Sequence, residues 1–371
     1  QFRVLLEPGR NSVPVLKSVR LTASLAAADG VKGLPVKVKG PVSVLSGRNF
    51  AHQRVSERLL FLRQKFGKDR VFNSGKDQWD GLLRLSAWIG DYTSNRRSNN
   101  DKKMIPSVIY ETHHMLELGH EKRTPVWCSG LAFMLVQLSS AFGLTGRVVF
   151  RGNHLVTEFW SPVHRKWAVV DPMEQLPDPK TGEIRVWTEG YGGYYTASGN
   201  NVPMSAIELG NARGRVIRRN YISRRKRYEK REATVSRDLQ WFRREISYPE
   251  RNNYMDVAEP LFRGDVFRYS GYLKYRRPGL REVPWYSEYT SRLGDVEWTV
   301  GETNVFLTSM RGGRVLAQLR SQMPNTKEYN LGLLGQTDSD TVVWRPAECG
   351  KLAVQAVNVL GHSGPATDCS L

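Results

Sequence analysis

The chain has 371 residues, with 55 lysines and arginines against 36 aspartates and glutamates, and a formal net charge of +19. Its hydrophobic content of 40% is ordinary for a globular protein, and its length predicts two or three domains with a sizeable core. No apolar run approaches the roughly 18 residues needed to span a bilayer, which excludes a transmembrane helix.

The positive charge favours polyanionic partners, because a field of one sign attracts the opposite charge over long distances. An acidic polysaccharide, an anionic envelope surface and nucleic acid are the candidates. We find no zinc-finger spacing or RNA-recognition signature, so nucleic acid is disfavoured. The chain begins at Gln1 rather than at methionine. We therefore expect an N-terminal segment to have been removed, either by a signal peptidase or by design.

Residues 1–50 mix short apolar runs with glycine and proline, which predicts a small β appendage. A core of residues 51–205 follows. Its first part has apolar residues at every third or fourth position, the period of an amphipathic helix. We predict helices over 52–66, 78–92 and 106–118.

A possible metal pair lies on the third of these helices. His113 and Glu117 are four residues apart and could share one helix face as metal ligands. No Cys-x-x-Cys pair and no His-Glu-x-x-His motif accompanies them in the sequence. A solvated helix face is the better interpretation, and we predict no metal.

Cys128 is the candidate nucleophile. It opens a helical pattern, which predicts that the thiol lies at a helix N-terminus. Free N–H groups and the helix dipole favour an anion there, so the thiol pKa should fall, as in reactive cysteines. A buried inert cysteine would more naturally lie within the apolar stripe of that helix, which is formed by Leu131, Leu135, Leu138 and Phe142.

Three short strands are predicted after this helix, over 146–150, 153–160 and 166–171. If the hairpin between the last two is symmetric, Trp160 opposes Arg165 and His154 opposes Asp171. Directly opposed side chains have β carbons about 5 Å apart, within reach of a carboxylate–imidazole hydrogen bond. The pattern thus predicts a nucleophile, a base and an orienting acid.

Three segments carry a family resemblance: Trp-Cys-Ser-Gly-Leu-Ala, Asn-His-Leu-Val-Thr-Glu-Phe-Trp and Lys-Trp-Ala-Val-Val-Asp-Pro. Together they resemble the transglutaminase-like superfamily of cysteine enzymes, over roughly residues 50 to 175. The resemblance implies an α+β fold, with helices packed on an antiparallel sheet in a papain-like core, and a triad of Cys128, His154 and Asp171. The family includes protein crosslinkers, peptidases, deglycosylating amidases and proteins with no known catalysis, so it implies no single substrate.

An oxyanion formed at the cysteine would need hydrogen-bond donors. The backbone N–H of Cys128 at the helix start is one. The resemblance implies a second donor from a side chain upstream of the cysteine, and Gln78 and Trp88 are both candidates. Trp127 and Asn153, which adjoin the triad residues in sequence, are candidate substrate contacts.

Residues 190–195 contain three glycines and three tyrosines and are predicted to form a mobile loop. Tyr191, Tyr194 and Tyr195 could wall a cleft and stack on sugar or aromatic groups. An ordinary packed loop is the alternative. The spacing of a phosphate-binding glycine loop is absent from the sequence, and we predict no cofactor.

Residues 206–260 are predicted to be a basic, partly helical connector, with a helix over 234–246. Within 213–231 the only acidic residue is Glu229. Arginine suits bidentate contact with carboxylate or sulfate, and a solvated surface is the alternative interpretation. The candidate substrate contacts in this segment are Arg218, Arg219, Arg224 and Arg225.

Short alternating runs with turn signals over 261–371 predict a β-sandwich, and its end resembles an immunoglobulin-like or fibronectin-type module. Cys349 and Cys369 form a candidate disulfide across this module. That bond would suit an oxidising compartment, and we expect a secreted, periplasmic or envelope protein. Two free thiols would fit the sequence equally.

The first functional interpretation is acyl transfer or hydrolysis at an amide bond, with Cys128 as nucleophile, His154 as base and Asp171 as orienting acid. The second is a lyase of uronate-type acidic polysaccharides, in which His154 or a tyrosine removes a proton beside a carboxylate neutralised by arginine. The third is a catalytically silent envelope protein that binds polyanions.

Overall fold

The structure is a computed structural model that describes residues 19–24, 35–40, 43–66, 68–94, 110–121, 126, 128–151, 154–172, 176–177, 184–185, 191–197, 200–212, 217–223, 229–235, 246–256, 266, 271–275 and 288–370. The chain is of the α+β class, with helices and predominantly antiparallel sheets. It divides into a terminal unit, Gln1–Leu45 with Thr299–Leu371, and a central unit, Ser46–Trp298. None of the helices in these residues is long and apolar enough to cross a membrane.

The helices of the described residues include three predicted from their periodicity. Ser56 starts the first by accepting a hydrogen bond from the backbone N–H of Leu59, and Glu111 caps the fourth in the same way. These caps place both helix starts a few residues later than predicted. The helices are α1 (Glu57–Lys65), α2 (Lys68–Asn73), α3 (Gln78–Ser94), α4 (Thr112–His120), α5 (Cys128–Ser140), α6 (Ala206–Asn211) and α7 (Pro346–Cys349).

The strands occur mainly after α5. They are β1 (Val19–Ser24), β2 (Pro35–Gly40), β3 (Gly146–Arg151), β4 (His154–Ser161), β5 (Lys166–Asp171), β6 (Leu176–Pro177), β7 (Ile184–Arg185), β8 (Tyr191–Ala197), β9 (Ile217–Ser223), β10 (Glu229–Val235), β11 (Ile246–Pro249), β12 (Tyr272–Tyr275), β13 (Glu288–Thr290), β14 (Thr303–Ser309), β15 (Val315–Ser321), β16 (Thr326–Asn330), β17 (Gln336–Thr337), β18 (Thr341–Trp344), β19 (Lys351–Asn358) and β20 (Thr367–Ser370).

The central unit is built on a nine-stranded sheet with the order β10-β9-β8-β5-β4-β3-β11-β12-β13. Alternate residues of a strand point to opposite faces, and both faces are apolar here. Val148 and Leu155 join a core cluster with residues of α3, α4 and α5. Val149 and Val156 join a second cluster, which includes residues of α6. Burial on both faces explains why β3, β4 and β5 are nearly continuous apolar runs.

The predicted glycine-rich loop at 190–195 is wrong in its secondary structure. Residues 191–195 lie in strand β8, which pairs with β5 on one side and β9 on the other, and Gly190 lies outside the described residues. Glycine is required at Gly192 because a β carbon there would lie 2.1 Å from the carbonyl oxygen of Leu83 in α3. The glycine thus permits close helix packing.

The predicted connector at 206–260 is likewise part of the central unit. Strands β9 and β10 pair antiparallel and extend the sheet beyond β8. The helix predicted over 234–246 is wrong at both ends, where Thr234 lies in β10 and Ile246 in β11. Residues 236–245 lie outside the described part of the chain. The frequent arginines in this segment obscure the alternation of apolar and polar residues that would predict a strand.

The terminal unit corrects two predicted domain boundaries. Strand β2 pairs antiparallel with β20, so the N-terminal strands are not a separate appendage. The unit resumes at Thr299 rather than at residue 261, because β12 and β13 belong to the nine-stranded sheet. Its two sheets, β1-β2-β20-β19-β16-β17 and β14-β15-β18, contribute residues to one apolar cluster that contains Trp344 and Leu352.

Cys349 and Cys369 are both unbonded, so the predicted disulfide is not formed in the structure. The Cys349 thiol donates a hydrogen bond to the carbonyl of Lys351 instead. Cys369 is fully buried, and burial raises its pKa to about 12. Its thiol is therefore protonated at neutral pH.

A buried ion pair joins β3 to β4 in the central unit. Arg147 donates two hydrogen bonds to Glu158, of 3.0 and 2.6 Å, and both side chains are fully buried. Glu158 also accepts the backbone N–H of Ala206 at the start of α6. The guanidinium carbon lies 4.1 Å from the ring centroid of Trp167 and 4.6 Å from that of Trp298. The two charges thus compensate each other inside the unit.

We expect Glu158→Gln to lower the free energy of unfolding by about 3–5 kcal/mol, because it leaves the buried Arg147 charge without its counter-ion. Urea unfolding followed by tryptophan fluorescence measures the change. The matched control is Glu117→Gln, which breaks a pair with Lys65 in which Glu117 is 45% exposed. Such exposed pairs contribute under about 1 kcal/mol. Equal losses in the two variants would contradict a structural role for the buried pair.

Candidate active site

The structure brings Cys128, His154 and Asp171 together at one end of the central sheet. Cys128 is the first residue of α5, His154 the first of β4 and Asp171 the last of β5. His154 is hydrogen-bonded to the Cys128 thiol, and its Nε2 lies 3.1 Å from Asp171 Oδ2. The predicted grouping of these three residues is thus present in the structure.

The predicted register of the hairpin is wrong by two residues. Trp160 pairs with Trp167 instead of Arg165, which places Asp171 two positions away from direct opposition to His154. A shift of two residues keeps both side chains on the same face. His154 therefore reaches Asp171 diagonally across the strands, a separation that long side chains span.

The charges in this group oppose the effect of burial. Burial would lower the pKa of His154, but the Asp171 carboxylate and hydrogen bonds to Asp171 and Cys128 outweigh it and raise this pKa to about 9. Burial would raise the pKa of Cys128. The hydrogen bond and charge of His154 and the backbone N–H of Leu155 outweigh it and lower that pKa. Both shifts favour a thiolate–imidazolium pair at neutral pH.

Arg151 is a fourth charged residue of the site that sequence reasoning missed. It ends β3, pairs directly with His154 across the strands, and is 4% exposed. Its Nη2 lies 3.4 Å from Asp171 Oδ2, the same oxygen that contacts His154. Only two residues separate Arg151 from His154 in the sequence, and this spacing could have indicated that the two are strand partners.

The two predicted side-chain oxyanion donors have other surroundings. Gln78 is exposed at the start of α3, and the nearby Gly81 packs against Phe72, which stacks on Phe142 just beyond the end of α5. Gln78 thus lies toward the opposite end of α5 from Cys128. Neither this position nor that of Trp88 supports a second donor.

Trp88 is buried in an aromatic group. Its ring stacks on Tyr92 with a centroid distance of 4.5 Å and packs near Phe66, and the Lys68 ammonium lies over its face. These contacts give the indole a packing role. The backbone N–H of Cys128 lies in the first turn of α5, where backbone donors have no partner within the helix.

The tyrosines proposed as substrate contacts are placed differently from one another. Tyr194 is half-buried and packs edge-on against Trp79, whereas Tyr195 is 1% exposed in the second core cluster. A side chain buried to that extent cannot stack on a substrate. Tyr191 lies in β8, and its side chain is not among those described.

Of the basic candidates, Arg218 is exposed on β9, and Arg219 follows it in the same strand. The side chain of Arg219 is not described. Four further candidates, Trp127, Asn153, Arg224 and Arg225, lie outside the described residues.

His113 and Glu117 share a helix face, as their spacing predicts, with 2.7 Å between His113 Nε2 and Glu117 Oε1. Lys65 Nζ also contacts Glu117, at 3.1 Å, so the carboxylate is neutralised by a cation. Within the described ranges, no group of three or more histidine, cysteine, aspartate or glutamate side chains is arranged to hold a metal ion.

We expect Cys128 to react rapidly with iodoacetamide well below the pKa of about 8.5 of a free thiol, because its thiolate is held by the imidazolium. The rate should stay level toward pH 9. His154→Ala removes the counter-ion, so labelling should then rise only through the range of an ordinary thiol. Peptide mapping after labelling from pH 5 to 10 measures the rate at each cysteine.

The buried Cys369 is the internal control, since its protonated thiol should remain unlabelled in the native protein. Wild-type labelling of Cys128 that follows an ordinary thiol titration would contradict the ion pair.

Comparison with known proteins gives no family assignment. No protein-family model matches the chain, and a search of curated proteins finds no significant match. The functional interpretation of Cys128, His154 and Asp171 therefore depends on their geometry and charge.

Proposed function

We propose that the protein is a transglutaminase-like cysteine enzyme that performs acyl transfer or hydrolysis at an amide bond. The observation that carries this proposal is the continuous contact from the Cys128 thiol through His154 to Asp171, with the thiol at the start of α5. A nucleophile, a proton carrier and an orienting acid in contact are the elements of covalent acyl transfer.

In the proposed reaction the Cys128 thiolate attacks the amide carbonyl carbon, and a carbon–sulfur bond forms as the carbonyl oxygen becomes an oxyanion. The Cys128 backbone N–H stabilises that oxyanion. The tetrahedral intermediate collapses, the carbon–nitrogen bond breaks, and the His154 imidazolium gives its proton to the leaving amine. A thioester remains on Cys128.

In the second half of the reaction, His154 takes a proton from water or from an acceptor amine, which attacks the thioester. Water gives a carboxylic acid, whereas an amine gives a new amide, and Cys128 returns as thiolate in either case. Asp171 holds Nε2 of His154 in both half-reactions, which leaves Nδ1 for the proton transfers.

The finer fold assignment is part of the same proposal. The support for a transglutaminase-like core is that α5 carries the cysteine and packs on the strands that carry His154 and Asp171. The support for a β-sandwich in the terminal unit is the apolar cluster shared by its two sheets. We retain a secreted or envelope location as part of this proposal.

A second candidate function is binding or elimination of an acidic polysaccharide. The net charge of +19 and the exposed Arg218 on the extended sheet favour a polyanionic ligand. A lyase would release unsaturated uronate ends, which absorb ultraviolet light. Tyr195 is too buried to act as its base, which leaves His154 and the half-buried Tyr194 among the described candidates.

We expect Cys128→Ala to abolish turnover, measured as ammonia or amine release from a library of peptides and glutamine-containing proteins, with and without a primary amine acceptor. His154→Ala should reduce it by at least about a hundredfold, as loss of a general acid–base does. Wild-type turnover should fall above about pH 9, where the imidazolium loses the proton that the leaving amine needs.

Cys349→Ala, which removes a thiol outside the site, is the control and should retain wild-type turnover. Full activity in Cys128→Ala would contradict the proposal. Ultraviolet-absorbing products from acidic polysaccharides, formed equally by wild type and Cys128→Ala, would favour the lyase. Salt-sensitive retention on a polyanion without any product would favour binding alone.

A further inference from the structure

The site contains more charge than a Cys–His–Asp triad requires. Arg151 lies in the same hairpin as His154 and contacts Asp171 Oδ2 at 3.4 Å, while His154 Nε2 contacts that oxygen at 3.1 Å. The three side chains are 5%, 22% and 3% exposed for Arg151, His154 and Asp171 respectively. A buried cation therefore shares the triad carboxylate with the histidine.

The position of Arg151 follows from the strand ladder. Arg151 and His154 are directly paired, as are Arg147 and Glu158 further along the same two strands. Residues 147 and 151 alternate to the same face of β3, and residues 154 and 158 to the same face of β4. The backbone thus fixes the guanidinium beside both the imidazole and the carboxylate.

We propose that Arg151 is a positioning residue of the site: its guanidinium clamps Asp171 and places a fixed cation beside His154. This inference rests on the proposed function, because positioning matters only if His154 transfers protons. Two consequences follow from the geometry. The carboxylate is oriented from two directions, and each cation weakens the hold of Asp171 on the other.

The weaker hold of Asp171 on His154 affects proton transfer. A proton carrier works best when its pKa lies near the working pH, because it must both take and give a proton. Asp171 and Cys128 raise the pKa of His154, and the Arg151 charge is the contribution that opposes them. Without Arg151 the imidazolium would hold its proton more tightly and release it more slowly to the leaving amine.

Two variants separate the charge of Arg151 from its hydrogen bond. Arg151→Gln keeps an N–H donor and removes the charge, whereas Arg151→Lys keeps the charge. The protein has seven histidines, so carbon-13 labelling of histidine and comparison with His154→Ala identify the His154 resonance. Its titration measures the pKa without a substrate. Arg218→Gln, at an exposed arginine of the same sheet, is the matched control.

We expect Arg151→Gln to raise the pKa of His154 by about one unit above the wild-type value, the size of effect that a neighbouring charge produces. The alkaline limit of amide turnover should move upward equally, and turnover at neutral pH should fall a few-fold. Arg151→Lys and Arg218→Gln should leave the His154 pKa near the wild-type value.

An unchanged or lower His154 pKa in Arg151→Gln would overturn the inference, as would a raised pKa with an unaltered pH profile of turnover. If Arg151→Gln does not fold, Arg151→Lys still tests it, since a rise of about one unit with the charge retained contradicts the charge effect. The two proposals fail differently. Ordinary thiol reactivity of wild-type Cys128 would refute the cysteine chemistry, whereas an intact ion pair unaffected by Arg151 would refute only this inference.

Discussion

The candidate site depends on one carboxylate oxygen, Asp171 Oδ2, which lies within 3.4 Å of two cationic side chains. A buried carboxylate is costly unless it is paired, and here both partners are held by neighbouring strands. His154 in turn contacts Cys128, so four groups of alternating charge follow one another: thiolate, imidazolium, carboxylate and guanidinium. Their charges sum to zero, which lowers the cost of burying Arg151 and Asp171.

The strands β3 and β4 also carry a second ion pair, which is fully buried. Arg147 and Glu158 lie on β3 and β4, four residues along from Arg151 and His154. There the carboxylate is satisfied by the arginine and by the backbone N–H of Ala206, and both side chains are fully buried. The His154 side chain, by contrast, is 22% exposed to solvent. The two strands thus hold a fully buried ion pair at one level and a partly exposed histidine at another.

The sequence allowed prediction of Cys128, His154 and Asp171 because each marks the end of a strongly apolar element. The exact register was not predictable from a symmetric loop, since Arg165 adopts a positive φ of 49° and belongs to the turn. The resulting error of two residues left the face unchanged, so the contact between His154 and Asp171 survived it. The hairpin of β4 and β5 does not predict Arg151, because this residue lies on β3, the other neighbour of β4.

The remaining errors concern pairing between distant segments. Local composition predicts a connector for the basic run around Arg218, because it does not reveal that β9 pairs with β8. Strand β2 pairs with β20 at the other end of the chain, and no local pattern specifies such a partner. The periodicity of apolar residues indicates whether a segment forms a helix or a strand. Which strands pair with each other depends on the packing of the whole unit.

Burial acts on both members of the Cys128–His154 pair in the direction that opposes ionisation, so each charge depends on the charged and polar groups around it. The thiolate and the imidazolium attract each other, which offsets part of the free-energy cost of burying each charge. A low-dielectric environment increases both this attraction and the cost of burial. The charge of each group therefore favours the charge of the other. Two further contacts stabilise the charged forms: the backbone N–H of Leu155 at the sulfur and the Asp171 carboxylate at the imidazole. Both groups are held in place by the strands that carry them. The lowered pKa of the Cys128 thiol therefore depends on groups of the protein itself.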